Sequence, residues 1–147
     1  MSLLEKLDQD MKQAMLAKDE GRLSTIRLLK SAVKYAAIEK SAAMSDAEIV
    51  QVIQKQIKQR RESIQQFTDG GRREMAAKEE NEARILEGYL PKQIGAEELK
   101  RIVESEVKAQ GASTKKDFGK MMKHLSEKLA GSADNKRLSE ILGGLLK

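Results

Sequence analysis

The sequence is poor in the residues on which many enzyme sites depend. Its 147 residues include no cysteine, no tryptophan, one proline and one histidine, and aromatic residues make up only 3%. Without cysteine there can be no disulfide, thiolate metal site or thiol nucleophile. A single histidine, His124, argues against a histidine-based metal site and against a Ser-His-Asp triad. We therefore expect no catalytic site, no metal site and no cofactor.

Long apolar runs are also absent. No stretch approaches the roughly 18 apolar residues of a membrane-spanning helix. The first ten residues, MSLLEKLDQD, lack the apolar run of a signal peptide. These two absences lead to the expectation of a cytoplasmic protein that has no membrane partner.

The residues that are present favour helices. A core must come from Leu, Ile, Val, Met and Ala, and most of the polar residues are Glu, Lys, Gln and Arg, which are good helix formers. Ser2–Glu5 and Ser45–Glu48 match the capping-box pattern that opens a helix. Apolar residues recur at helical spacing and no alternating strand pattern occurs, so the sequence predicts an all-α fold.

A break near Pro91 divides the predicted helices into two groups. Proline lacks an N–H group and disfavours the helical conformation of the preceding residue, so a helix should end there. We predict an N-terminal four-helix domain over residues 1–91 and a C-terminal three-helix domain over residues 92–147. The predicted helices run from Ser2, from Asp19 to Lys40, from Ser45 to Phe67, over residues 72–89, from Gly95 to Gly111, from Ser113 or Thr114 to Leu129, and from Asp134 to the C-terminus.

Two of the predicted helices carry unusual patterns. In the third, Arg60 lies inside the apolar arc that includes Ile53 and Ile57, so it should pair with a carboxylate of the fourth helix or with a helix-end carbonyl. In the second, Leu28, Ala32 and Tyr35 form an apolar arc in addition to the main one. A helix that is apolar on two sides is expected to be the central helix of its domain.

The most informative functional pattern is the distribution of basic residues. Residues 91–147 hold 12 Lys and Arg against 8 Asp and Glu, so they carry most of the net charge of +5. In the sixth predicted helix, Lys116, Lys120 and Lys123 fall within an arc of about 60°, and the apolar residues lie opposite. Glu127 interrupts this basic stripe. Lys128, Lys136 and Arg137 extend the candidate phosphate-binding surface. The alternative for this helix is an ordinary solvated face. A second basic run, Lys55–Arg61, is more easily explained as part of a structural helix.

Four groups of segments together resemble the YqeY family, over essentially the whole chain. The segments are Leu7–Met15 with Asp19 and Arg22–Arg27; Ile57–Ile64; Gly71–Arg72 with Lys78–Glu79 and Glu87–Gln93; and Asp117–Met122 with Gly131–Asp134. The family is similar to the tail domain of the GatB subunit of tRNA-dependent amidotransferases. This chain departs from the family pattern at Lys123, Ala130, Ser132 and Asn135, in the last helix-turn region.

The resemblance implies a helical two-part fold and a link to tRNA. It also carries a family label, carbon–nitrogen ligase with glutamine as amide donor, although no catalytic constellation is visible in this chain. The leading hypothesis is a tRNA-associated protein that binds structured RNA through its basic helical face. The alternative is a non-catalytic protein–protein adaptor, in which the N-terminal domain meets a protein partner through the thin apolar stripe of the fourth helix.

Overall fold

The computed structural model describes all 147 residues, and they form helices and no strand. The seven α-helices are α1 (Leu3–Leu16), α2 (Glu20–Lys40), α3 (Asp46–Asp69), α4 (Arg73–Glu87), α5 (Ala96–Gln110), α6 (Phe118–Leu129) and α7 (Asn135–Leu145), with one turn of 3-10 helix, Lys115–Asp117, before α6. The prediction of an all-α fold is confirmed.

The predicted capping boxes open α1 and α3. At the start of α3, the Ser45 hydroxyl accepts the N–H of Glu48 at 3.2 Å, and the Glu48 carboxylate accepts the N–H of Ser45 at 3.1 Å. Lys40, the last residue of α2, donates to the same carboxylate at 2.6 Å. These donors, Lys40 foremost, lower the pKa of Glu48 to about 2. The α2–α3 turn is thus held by one carboxylate that serves both helices.

The chain separates into two compact units, Met1–Leu90 and Pro91–Lys147. The first contains α1 to α4, and the second contains α5 to α7. That each unit is a domain able to fold alone stays a proposal.

We expect a fragment of residues 91–147 to fold into a helical unit of marginal stability, because a chain of fewer than about 60 residues buries a smaller fraction of its surface on folding than a larger domain does. Far-ultraviolet circular dichroism of the fragment, followed through a thermal transition, measures this. A fragment with no helical signal, or with no cooperative transition, would contradict the proposed boundary.

The core of the first unit is aliphatic. Its fully buried side chains come from all four helices: Leu7 from α1; Ile26, Leu29 and Val33 from α2; Ile49, Ile53 and Ile57 from α3; and Leu86 from α4. α3 and α4 form the largest helix–helix contact of this unit. On α4, Ala76, Ala83 and Leu86 are buried. Of the Ala/Met/Ile stripe that the adaptor hypothesis assumed on this helix, Met75 is exposed and Ile85 is half-buried against the core.

Arg60 makes the predicted contact between α3 and α4. Its guanidinium donates to the Glu79 carboxylate at 3.0 Å and to the carboxylate of Glu82. The Arg60 and Glu82 side chains are only 12% and 7% exposed. A charge inside the apolar arc of α3 is therefore neutralised by two acids of α4, which is the arrangement that such a position needs.

A second polar contact ties the end of the unit to its beginning. Tyr89 is buried, and its hydroxyl donates to Asp10 at 2.5 Å. Arg22 lies 3.6 Å from the same carboxylate, and the Lys6 ammonium lies 5.6 Å from the centre of the Tyr89 ring. Burial, followed by the neighbouring Asp10, raises the pKa of Tyr89. These groups satisfy one another, so the cluster stabilises the fold.

The second apolar arc of α2 does not behave as expected. α2 contacts α1, α3 and α4, but it does so through one side, where Ile26, Leu29 and Val33 are buried. Leu28 and Tyr35 are 53% and 66% exposed. The helix is central in its unit, yet its second arc faces solvent, because three neighbours cover only the main arc.

The second unit has its own core. It consists of Leu99 and Val103 from α5, Met121, Leu125 and Leu129 from α6, Leu138 and Leu142 from α7, and Ala133 and Leu146 from the flanking segments. The α6–α7 turn is braced by the start of the unit: Ile94 donates its N–H to the Ser132 carbonyl at 2.8 Å, and the Gln93 amide donates to the Gly131 carbonyl at 2.9 Å. These bonds fix the direction in which α7 leaves α6.

Candidate nucleic-acid interface

The amphipathic pattern of α6 places two lysines opposite the core. Met121, Leu125 and Leu129 are buried. Lys120 and Lys123 are exposed, and each lies about 150° from the centre of the buried arc when positions are projected at 100° per residue. Neither lysine forms an ion pair, although the Asp117 carboxylate interacts with Lys120 electrostatically at longer range. Both ammonium groups can therefore meet an anion from solvent.

Lys116 is exposed too, but it does not lie on the α-helix. The predicted start at Ser113 or Thr114 is wrong for the α-helix, which begins at Phe118 after the 3-10 turn. The Asp117 carboxylate accepts the N–H groups of Ser113 and Thr114 at 3.2 and 3.4 Å, and these bonds lower the pKa of Asp117. These two bonds hold the 3-10 turn that precedes α6. Lys116 lies in that turn, so only Lys120 and Lys123 are related by α-helical spacing.

Lys128 is engaged by an acid of the neighbouring helix. Its ammonium donates to one oxygen of the Glu106 carboxylate on α5, and the other oxygen lies 2.8 Å from Nε2 of His124. Lys128 first and His124 second lower the pKa of Glu106. Of the six sequence-predicted cations, Lys128 is the one whose charge is already neutralised within the unit.

The His124–Glu106 pair is a contact that the sequence analysis missed. Glu106 and His124 are 18 residues apart and lie on different helices. The sequence did contain a sign of this contact. His124 and Lys128 lie only about 40° apart around α6, so both side chains point to the same side of the helix. Recognising the acid opposite them required knowing how α5 packs against α6.

Lys136 and Arg137 lie in the first turn of α7, just beyond the α6–α7 turn. Both are exposed and neither is in an ion pair. The Asp134 side chain caps α7 by accepting the N–H of Lys136 at 2.9 Å. Ala130 and Gly131 take left-handed backbone conformations, with φ of 41° and 86°, and so make the sharp reversal between the helices.

The arrangement is suited to binding an anion and not to holding a metal. Five of the six sequence-predicted cations are exposed and form no ion pair: Lys116, Lys120, Lys123, Lys136 and Arg137. The structure contains no group of three or more His, Cys, Asp or Glu residues that could hold a metal ion. None of its helices is long and apolar enough to cross a membrane.

Comparison with known proteins agrees with the sequence resemblance. A family model described as "Yqey-like protein" matches residues 4–146. The chain belongs to this family. The predicted family membership is confirmed, and the match covers both helical units.

Curated relatives of this Yqey-like chain carry the name "Altered inheritance of mitochondria protein 41, mitochondrial". The protein from Pyrenophora tritici-repentis is 28% identical over 149 residues, covering 96% of this chain and 81% of the relative. The one from Clavispora lusitaniae is 32% identical over 136 residues, covering 89% and 78%. The one from Kluyveromyces lactis is 42% identical over 84 residues, covering 56% and 45%. In that last comparison, the matched region spans about half the length of the relative.

These names contradict the expected cytoplasmic location, since the relatives are named as mitochondrial proteins. The expectation was wrong because it rested on the lack of an apolar signal sequence. Mitochondrial transit peptides are amphipathic and Arg-rich, not apolar, so that lack carries no information about them.

Proposed function

We propose that this protein binds a structured RNA, with tRNA as the candidate class, through five of the unpaired cations of its C-terminal unit. The observation that carries the proposal is their placement. Lys120 and Lys123 face away from the core on α6, and Lys116, Lys136 and Arg137 lie at the two ends of that helix. They belong to the part of the chain that holds most of the excess positive charge. Such a surface attracts phosphates over a distance and releases counterions on binding.

The chemistry of the surface favours recognition of backbone and shape. Lysines contact phosphates as point charges and carry no base code by themselves. Stacking on unpaired bases needs exposed aromatic rings, but Phe118, the one aromatic residue of the unit, is half-buried against its core. A folded RNA, which presents phosphates in a fixed geometry, suits these residues better than a single strand does.

The proposal is a non-catalytic one. The family label of glutamine-dependent carbon–nitrogen ligase requires a group that activates the amide donor. Two acids near this surface are instead committed to ion pairs and caps, as Glu106 is to Lys128 and His124 and as Asp117 is to two backbone amides. We assign the RNA-binding role alone to this chain.

The Glu106–Lys128 pair provides a sharp test of which cations contact RNA. Because Glu106 already neutralises Lys128, Lys128→Ala should leave tRNA binding unchanged. Glu106→Gln should free the ammonium, strengthen binding, and steepen the plot of log affinity against log salt by about 0.7–0.9, the value for one added phosphate contact. Fluorescence anisotropy of labelled tRNA across a salt series measures both.

The control is the double variant Glu106→Gln with Lys128→Ala, which should return the slope to that of the wild type. If Glu106→Gln steepens the slope equally with and without Lys128, then the effect is a general loss of negative charge. Such a result would contradict the specific role given to the pair.

A further inference from the structure

The exposed arc of α2 forms an apolar stripe that the fold leaves uncovered. Leu28, Tyr35 and Ile38 are 53%, 66% and 66% exposed. Their spacing of seven and three residues places them within about 80° of one another on the helix. Ser31 lies within the same arc, and its small side chain leaves the stripe accessible. Contiguous exposed apolar surface with a polar rim is typical of interaction sites.

A groove runs beside this stripe, between α2 and α3. Leu28 lines one side, and Gln56, Gln59 and Ser63 line the other, with Arg60 at the base. The two helices are antiparallel, because Lys40 at the end of α2 pairs with Glu48 at the start of α3. Continuing along this register, Tyr35 and Ile38 extend the same face towards the α2–α3 turn.

One wall of the groove holds a polar atom without a partner. The side-chain oxygen of Gln56 is buried and accepts no hydrogen bond. A buried acceptor left unpaired costs free energy, and rotation of the Gln56 amide towards the groove would let a donor of the occupant remove that cost. The groove therefore favours an occupant that brings apolar side chains together with at least one hydrogen-bond donor.

The rim of the groove is positively charged. Arg27 and Lys34 on α2 and Lys55 on α3 are exposed and have no ion-pair partner. Residues 24–38 contain no acid, and residues 52–66 contain one, Glu62. Among the other cations of these stretches, Lys30 is neutralised by Asp8 and Arg60 and Arg61 by acids of α4, whereas Lys58 is exposed and has no ion-pair partner. These cations have no balancing acids, and an occupant with acidic residues along its edges would supply the missing negative charge.

We propose that this face of α2 and α3 binds an acidic amphipathic helix of a partner protein. Leucine-type side chains on one face of that helix would cover Leu28, Tyr35 and Ile38, its flanking carboxylates would meet Arg27, Lys34 and Lys55, and a hydroxyl or amide would donate to Gln56. This is the helix-in-groove mode of recognition, read as anchors at i, i+3 or i+4, and i+7. The partner surface lies on the N-terminal unit and is independent of the RNA-binding role.

Two other occupants fit the face less well. An RNA would satisfy the cations but would leave the aliphatic Leu28 and Ile38 with nothing to cover them. A second copy of this chain would cover the apolar stripe but would bring two basic rims onto one interface, and like charges facing each other oppose association.

The test is selection of helical peptides from a randomised display library, with the full-length protein as bait. The peptides have about 16 residues, a helix of roughly 24 Å, which is longer than the stretch of α2 from Leu28 to Ile38. The expected peptides carry Leu or Ile at i, i+4 and i+7 with Asp or Glu at the flanks. A synthetic copy of the enriched peptide should bind at least about tenfold more weakly to Leu28→Ser with Tyr35→Ser. Arg27→Glu with Lys34→Glu should weaken it as well.

The matched control is Met15→Ser with Leu16→Ser, which removes two exposed apolar side chains from α1 and should leave peptide binding unchanged. All of these variants should keep the thermal transition of the wild type, because the side chains they alter are exposed. The tRNA affinity of Leu28→Ser with Tyr35→Ser should also be unchanged.

Several results would overturn the proposal. These are the absence of any enriched peptide, enrichment of peptides without acidic flanks, or equal binding to Leu28→Ser with Tyr35→Ser. Self-association of the wild type that this variant abolishes would assign the face to a second copy. Loss of tRNA binding in Arg27→Glu with Lys34→Glu, while peptide binding persists, would assign it to RNA.

Discussion

Replacing Arg60 by alanine is expected to lower the free energy of unfolding by about 3–5 kcal/mol, because it removes one partner from a buried ion pair and leaves the other charge stranded. The stranded group is Glu82, whose side chain is 7% exposed and sits between α3 and α4. Glu79, the second acid, is more accessible and can turn to water. Chemical denaturation of the full chain measures the loss.

The neighbouring Arg61 provides the matched control. It pairs with Glu87, also on α4, but both side chains are largely solvated. Surface ion pairs contribute about 0–1 kcal/mol, so Arg61→Ala should be nearly neutral. Equal, small losses for the two variants would contradict the view that Arg60 is neutralised inside the α3–α4 contact. Glu82→Gln should fall between them, because the amide keeps the shape of the carboxylate while removing its charge.

Removing two lysines from α6 should produce the largest effect on binding. Lys120→Ala with Lys123→Ala should flatten the slope of log affinity against log salt by about 1.4–1.8, which corresponds to two lost phosphate contacts. If the non-electrostatic part of the affinity is unchanged, this slope lowers tRNA affinity by about 100-fold at 50 mM salt and about 20-fold at 150 mM salt. Anisotropy titrations of labelled tRNA measure both quantities.

The same double variant should remain stable. Both side chains are exposed and lie opposite the buried side of α6, so the change in unfolding free energy should stay within about 0.5 kcal/mol.

The matched control is Lys12→Ala with Lys78→Ala, which removes the same charge from exposed positions of the N-terminal unit and should leave the salt slope of tRNA binding unchanged. Because phosphate contacts position an RNA without specifying its sequence, discrimination between tRNAs should hardly change. An equal effect of the control pair would indicate attraction by net charge rather than by the α6 surface.

Features that depend on residues close together in the sequence could be predicted. The capping boxes at Ser2 and Ser45 were found because a cap needs only a hydroxyl and an acid three residues apart. The Arg60 pairing was also predictable, because a charge inside an apolar arc must find a partner on the helix that covers it. The choice among the acids of α4 was settled by the packing of the two helices.

Features that depend on tertiary packing could not be predicted in this way. The second apolar arc of α2 has the pattern of a buried face, but whether a fourth neighbour covers it depends on how α1, α3 and α4 surround the helix. The pairing of Lys128 and His124 with Glu106 depends on the packing of α5 against α6. The engagement of Lys128 by Glu106 could not be predicted, because exposure alone does not show which cation is free.

The segments that carry the family resemblance in the N-terminal unit turn out to hold its fold together. Asp10 and Arg22, from the first segments, meet Tyr89 of the Tyr-Leu-Pro segment. Arg60, from the second, meets Glu79 of the third. Those polar residues have satisfied partners inside the unit. The groups without partners include the cations of α6 and α7 and those beside the α2 stripe.

The salt dependence of wild-type tRNA binding tests the central claim most directly. Five free cations should give a slope of about −3.5 to −4.5, so affinity should fall by about 100- to 500-fold between 50 and 200 mM salt. A slope in that range, flattened in the Lys120→Ala with Lys123→Ala variant, is the result that the proposed RNA-binding role predicts. Failure to bind tRNA at about 50 mM salt, where phosphate contacts are strong, or affinity that does not change with salt, would contradict it.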